Sequence, residues 1–224
     1  MTHPRVVSLV PSVTETLRAW GVEPIACSRF CEQPDLVHVG GTKDPDVAAI
    51  VALRPDLVVV DREENRIEDH DALVADGVAV HVLQVVDLAH LDGQLYELAD
   101  RVGARWEPIG PVPEPPVRAT AWVPIWRRPW MALGEPTYGS AVLRTLGIGN
   151  IAADDGSYPS LDLPEVQSRR PDLVVAPSEP YPFTERHRAE LEAVAPTHLV
   201  DGRDLLWWGV RTAGALQRLG RTLG

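Results

Sequence analysis

The chain has 224 residues, 45% of them hydrophobic and 24% charged, with a net charge of −11 and a pI near 5.0, the profile of an ordinary globular protein. That surplus of negative charge repels nucleic-acid backbones and anionic membranes, and no Lys/Arg-rich run offsets it, so nucleic-acid binding is excluded. No stretch approaches the roughly 18 apolar residues of a membrane span, and the apolar run at residues 6–10 is too short for a secretory leader. As it begins, the sequence therefore predicts a cytoplasmic protein, or an extracytoplasmic one if it is a processed mature form.

Residues 6–10 read as a first strand that stops at Pro11-Ser12. Ser12 and Glu15 then read as a capping box for a helix ending at Gly21. Asp44 reads as the N-cap of a second helix with Pro45 at N1. That helix must end before Pro55, because the residue preceding a proline is pushed out of the helical region. Residues 57–60 are apolar at consecutive positions, the pattern of a strand covered on both faces in a parallel sheet. A helix over 67–75, a strand over 80–83 and a long helix over 88–102 follow.

Residues 107–116 contain five prolines, a composition that gives a stiff extended connector. Beyond it come a strand at 119–123, a helix at 140–146, and a helix capped by Asp162 ahead of Pro164. A strand at 173–176, a helix at 184–194, a strand at 197–200 and a helix at 212–223 complete the chain. Alternation of this kind predicts an α/β fold with parallel sheets flanked by helices. The connector divides it into an N-terminal lobe, 1–106, and a C-terminal lobe, 117–224.

An internal repeat supports two similar lobes. Asp46-Val47 and, after six intervening residues, Arg54-Pro55-Asp56-Leu57-Val58-Val59 return as Asp162-Leu163 and Arg170-Pro171-Asp172-Leu173-Val174-Val175, at a constant offset from 46 to 162. In open α/β sheets ligands bind beyond the carboxyl ends of the strands. Those ends are Pro11-Ser12, residues 28–32 and 61–65 in the first half, and residues 124–126, 177–181, Asp201 and Trp207-Trp208 in the second. This places the expected ligand cleft between the lobes. Its loops are aromatic: Trp126, Trp130, Trp207, Trp208, Tyr138, Tyr158 and Tyr181 lie in or beside those of the second half. Because the strands are aliphatic, these rings are expected to stay out of the core and to form a wall for a flat or large apolar ligand.

Several motifs resemble one family. Arg5 through Leu17, Val39-Gly-Gly-Thr-Lys-Asp-Pro-Asp46, Glu63-Glu-Asn-Arg66, Pro129-Trp-Met131, Ser178 through Glu185, and Asp201-Gly with Trp207-Trp-Gly-Val-Arg211 resemble the helical-backbone metal receptors. These are TroA-like class III substrate-binding proteins, with vitamin B12-binding and ferric-siderophore-binding relatives. The resemblance covers nearly the whole chain. It implies two Rossmann-like lobes holding a cobalamin-like, haem or siderophore chelate without catalysis, and no required cofactor beyond that ligand. It further implies that Phe30 and Tyr158 lie against the ligand's ring, with Pro11, Ser12, Thr42 and Asp201 lining the site. Trp207 and Trp208 are expected to add stacking, with Trp130 and Tyr181 beside them. Arg211 is expected to hold polar edges, and Glu63 and Glu179 to add polar contacts.

Two departures qualify the resemblance. The family's long interlobe helix is largely replaced here by the proline-rich connector. The places of the glutamates that dock on an ABC transporter hold Ala48 and Pro164, which argues against such docking. The alternative reading is a cytosolic metal-handling or enzyme-accessory protein that binds a metal ion directly through Cys31, Glu63 and Glu179. No nucleophile–base pair, phosphate loop or zinc-protease motif suggests an enzyme. The two cysteines, Cys27 and Cys31, predict no disulfide in a reducing compartment.

Overall fold

A computed structural model describes residues 3–224. Its contacts divide the chain into two units. The first runs to Gln84 and includes Leu91–Pro108 and Trp208–Val210; the second comprises Val85–His90, Ile109–Trp207 and Arg211–Gly224.

The first unit contains β1 (Val6–Ser8), α1 (Pro11–Ala19), β2 (Ala26–Cys27), β3 (Val37–His38), α2 (Val47–Ala52), β4 (Leu57–Asp61), α3 (Ile67–Ala75) and β5 (Val80–Leu83), with most of α4 (Leu88–Val102). Its sheet has the order β3-β2-β1-β4-β5 and every pairing is parallel. The second unit contains β6 (Ala119–Trp122), β7 (Pro124–Trp126), β8 (Met131–Ala132), α5 (Tyr138–Thr145), β9 (Ile148–Asn150), α6 (Leu163–Arg169), β10 (Leu173–Pro177), α7 (Arg188–Glu192), β11 (Thr197–Val200), α8 (Gly202–Leu206) and α9 (Thr212–Leu223). Its sheet, β11-β10-β6-β9, is again parallel throughout, and β7 and β8 form a separate antiparallel hairpin. The order β2-β1-β4-β5 of one sheet thus matches β9-β6-β10-β11 of the other. The expected α/β fold with parallel sheets is what the chain adopts.

The repeat has a physical basis. Strands β4 and β10 are buried at all five positions, as continuous apolar runs in a helix-covered parallel sheet must be. Ahead of each, the arginine before the proline adopts a left-handed backbone, Arg54 at φ 49° and Arg170 at φ 51°, which turns the chain out of its helix. The aspartate after the proline ties that turn to the neighbouring strand. Asp56 Oδ2 accepts the Arg5 amide at 2.7 Å and Asp56 N donates to Arg5 O at 2.9 Å. Asp172 repeats this with Thr120, at 2.7 and 2.9 Å, and its carboxylate also accepts the Thr120 hydroxyl at 2.8 Å. Two orphan backbone groups at a strand end are satisfied by one residue.

Three local expectations need correction. Helix α1 starts at Pro11, with Val10 as an N-cap that makes no side-chain bond. Proline's fixed φ pre-sets the first turn, so Ser12 is not the cap, and its buried Oγ has no partner. Helix α2 is capped by Asp46, whose side chain accepts from Ala49 N, rather than by Asp44, which pairs with Arg29. The helix expected at 184–194 is a single 3-10 turn, Glu185–His187, followed by the five-residue α7.

The cores differ in substance. In the first unit Val7, Leu9, Ala26, Val39, Ile50, Val58, Val60 and Leu73 form an aliphatic cluster. In the second, Trp122 and Phe183 are buried among aliphatic residues, and Trp130 and Tyr181 pack against them. The expectation that loop rings stay out of the core therefore fails for Tyr138 and Trp208, each 4% exposed, and for Trp130 and Tyr181, which pack half-buried against the second unit's core, where burial of their large apolar area is favourable.

Candidate functional site

Because each sheet is parallel, all its carboxyl ends open on one edge, and the loops there carry the candidate side chains. In the first unit, β2 runs into a turn closed by Cys31 N donating to Ser28 O at 3.1 Å. Phe30 stands on that turn 53% exposed. The Arg29 guanidinium lies 5.1 Å from the ring centroid and makes a two-point pair with Asp44 at 2.9 and 3.0 Å. That pair passes over Gly41, where a Cβ would lie 2.3 Å from Asp44 Oδ1 and 2.9 Å from Arg29 Nη2. The preceding Gly40, at φ 90°, closes the same turn against Asp44 O. This is why a glycine pair stands there.

The loop after β4 is a knot. Asp61 Oδ1 accepts the amides of Glu63 and Glu64 at 2.8 and 3.2 Å, and Asn65 Oδ1 accepts Asp61 N at 2.8 Å. Asn65 Nδ2 donates to Thr42 O at 2.9 Å, and Lys43 Nζ donates to Glu63 O at 2.6 Å. The loops at 40–45 and 61–65 are thereby joined, with Thr42 and Glu63 half-buried between them. Burial pushes the Asp61 carboxyl up to about 6 against the pull of its two amide donors.

Cys31 is buried in the turn. Its Sγ lies 3.2 Å from Thr14 Oγ1 and 3.4 Å from Ser28 Oγ. Interaction with the Cys27 thiol, and the contacts with Ser28 and Thr14, hold its thiol below the ordinary range against the effect of burial. Pro11 and Ser12 are buried at the start of α1.

In the second unit Tyr158 is 43% exposed and Trp126, on the hairpin, 44%. Trp130 stacks on Phe183 at 6.1 Å, and Tyr181 sits edge-on to Trp126 at 5.8 Å and 4.8 Å from Phe183. Asp201 caps α8 through the Arg203 amide and pairs with that residue's guanidinium. Glu179 packs on Gly202, where a Cβ would meet Glu179 N at 2.7 Å, while Gly202 N donates to Ser178 Oγ at 2.9 Å. The Asp-Gly pair thus locks the 178–181 loop to α8. Trp207 is half-buried, with the Arg211 guanidinium 5.5 Å from its ring. Trp208 is buried within the first unit.

Sequence reading passed over two polar anchors. Asp204, 5% exposed, holds Arg211 at 3.0 Å and Arg218 at 2.7 Å. Asn65 is the centre of the β4 knot. A buried carboxylate seven residues from an arginine gives no local signal, whereas an asparagine four residues after a strand-ending aspartate is a turn pattern that could have been read. Among the described residues no group of three or more His, Cys, Asp or Glu is arranged to hold a metal ion, and no helix is long and apolar enough to cross a membrane.

Two parallel sheets of one plan, their carboxyl-edge loops carrying the exposed rings, have the fold of the periplasmic substrate-binding proteins. Residues 6–107 match the periplasmic binding protein family. The chain is 25% identical over 198 residues to the vitamin B12-binding protein of Salmonella paratyphi A, covering 77% of this chain and 71% of that one. It superposes on the periplasmic vitamin B12 binding protein of Vibrio cholerae with a TM-score of 0.79 at 19% identity, covering 99% and 96% of the two chains. A periplasmic heme binding protein from Pseudomonas aeruginosa gives 0.78 at 20% identity, covering 98% and 92%. The resemblance read from the motifs stands, and the alternative of direct metal ligation through Cys31, Glu63 and Glu179 is not favoured.

Proposed function

We propose that this protein binds, without transforming it, a small metal chelate with a broad apolar ring system, cobalamin or haem. The observation that carries the reading is the exposure of rings beyond the strands, Phe30 in one unit and Tyr158, with Trp126, in the other. They stand on a fold shared with proteins named for vitamin B12 and haem. Exposed rings cost hydration in the free protein and gain area on contact with a flat ligand. Arg29 beside Phe30, and Arg211 beside Trp207, set a cation next to each ring, suited to the polar or anionic edges such chelates carry. Thr42, Glu63, Glu179 and Asp201 stand on the same loops, with Ser12 buried at the start of α1 behind them, and Trp130 and Tyr181 stiffen them from the core side. No group in these loops is paired as nucleophile and base, so the ligand leaves as it arrived. The relatives titled periplasmic favour a place outside the cytoplasm. With Ala48 and Pro164 where docking glutamates would stand, hand-over to a transporter is no part of the proposal.

Hydroxocobalamin and haemin, titrated in parallel against the purified protein and followed by tryptophan quenching and ligand absorbance, test it. One of them is expected to bind with one-to-one stoichiometry and to be recovered unchanged. Phe30→Ala and Tyr158→Ala are each expected to weaken binding about tenfold or more, the usual effect of truncating a stacking ring, with unaltered circular dichroism. Absence of binding by both chelates, or variants that bind like the parent, overturns the reading.

A further inference from the structure

The outer edge of the second unit's sheet opens on a cavity of about 310 Å³, walled by the end of β11 and by α8 and α9, with Leu199, Asp201, Asp204, Arg218 and Arg221 in its lining. Strand β11 is the last of its sheet. Val174 N donates to Pro196 O and Ser178 N to Val200 O, so alternate residues from 196 to 200 face β10. Residues 197 and 199 therefore turn their backbone groups to the open edge. Thr197 O is taken there by the Arg188 guanidinium at 2.9 Å. Leu199 N–H and C=O come next, at the cavity wall, with no partner among the described residues. Helix α9 supplies charge. Arg218 folds back over Gly214, where a Cβ would lie 3.0 Å from its Nη1, and makes a two-point pair with Asp204, both bonds at 2.7 Å. Asp204 holds Arg211 as well, and Asp201 is paired with Arg203. Arg221, three residues beyond Arg218, is exposed and has no acidic partner among the described residues. Two carboxylates thus meet four guanidiniums, a local surplus of positive charge on a chain of net −11.

From this arrangement we propose that the cavity is a second binding site, which takes a small molecule by an oxyanion, a phosphate or a carboxylate. Arg221 supplies the charge-assisted bond and the Leu199 amide a second donor, while Arg218, fixed by Asp204, adds to the field. Leu199 O accepts from a hydroxyl where the ligand carries one. An extended peptide fits less well. Adding a strand needs a run of open edge groups, whereas Thr197 O is occupied and the chain turns into α8 at Gly202. The volume also sits at the lower end of the about 300–1,000 Å³ of small-molecule sites. Arg221 stands in the last turn of α9, where a cation offsets the helix dipole. That role alone gives no saturable anion binding, and the test reads saturation. The inference lies within the second unit and does not depend on a chelate.

The test uses the full chain with no chelate present, titrated with inorganic phosphate in one arm and acetate in the other, while sodium chloride keeps the ionic strength constant. The thermal midpoint and, in a nitrogen-15-labelled sample, the backbone amide resonances are followed. At least one anion is expected to raise the midpoint saturably, with one site per chain, and the arm that saturates names the group recognised. The Leu199 amide resonance should shift over the same range. Arg221→Gln should weaken the binding about tenfold, the usual effect of losing one charge-assisted bond, with a midpoint close to the parent's when no anion is added. The proposal is overturned if neither anion saturates, or if Arg221→Gln binds like the parent. It is overturned equally if the shifts spare Leu199 and fall elsewhere, which would mean an adventitious ion only. The parent's resonances decide the matter even where the variant fails to fold.

Discussion

The two units hang matching parallel strands on matching aspartates and fill the space around them with different side chains. Val7 pairs in register with Val58, and Trp122 with Val174. Since Val58 and Val174 are equivalent in the repeat, a valine in one sheet stands where the other has a fully buried tryptophan. Around Val7 the cluster is aliphatic. Around Trp122 it includes Trp130 at 5.3 Å, with Phe183 and Tyr181 beyond. The backbone plan, which obeys hydrogen-bond geometry, has been kept in both copies, whereas packing, which needs only matching volume, has diverged. Much of the aromatic surplus of the second half is therefore structural. Fewer rings stand exposed than the composition suggests.

The sharpest way to break this comparison is to truncate the two equivalent positions. Trp122→Ala is expected to cost about 3–5 kcal/mol and Val7→Ala about 2 kcal/mol, from the lost apolar area and the cavity left behind. Urea denaturation measures both, and equal losses would mean that Trp122 does not organise its core.

Acid probes the next difference. His81 follows its register partner Val59 as His198 follows Val175, but His81 is 5% exposed with no partner for Nε2, whereas His198 is half-buried. Burial, helped by Arg101, holds His81 below the ordinary histidine range. The folded chain thus binds this proton less readily than the unfolded chain. Stability is full above the ordinary range and falls as pH drops through it toward the lowered folded value. His81→Leu should flatten the fall in denaturation midpoint between about pH 7.5 and 5.5. A fall unaltered by His81→Leu would remove this histidine from the account.

The smallest expected effect tests what the two copies share. Asp56→Asn and Asp172→Asn should lower the thermal midpoint by similar, small amounts, because each amide accepts the strand-end bond less strongly than a carboxylate. The Asp172 carboxyl is held below its usual range by the Thr120 amide and hydroxyl. Its contribution is therefore present above the ordinary carboxylate range and is lost as pH falls through the lowered value. A marked difference between the two variants would mean that the equivalence is one of pattern only.

These features were unequally legible in the sequence. The Arg-Pro-Asp repeat, the buried strands after it and the helix at 88–102 could be read because proline, a continuous apolar run and a 3.6-residue period each leave a mark. Strands β2 and β3 have two residues each, too short to show any period. The hairpin of β7 and β8 was missed because it opens on a proline and turns through Arg127–Pro129. Capping went to Asp44 rather than Asp46 because either residue type serves, and only the Arg29 pair decides between them. For the candidate site, sequence placed Phe30, Thr42, Glu63, Tyr158, Glu179 and Asp201 on loops, but which rings are exposed depends on packing across distant strands.

The knot after β4 has a consequence for how tightly a ligand can be held. A surface loop of this length would ordinarily explore many conformations, and a ligand that needed one of them would have to suppress the rest, at an entropic cost that weakens binding. With Asp61, Asn65, Thr42 and Lys43 already cross-bonded, that narrowing is accomplished when the chain folds. For the ligand proposed above, more of the contact energy made at these loops would then appear as affinity, because the loops are a preformed surface.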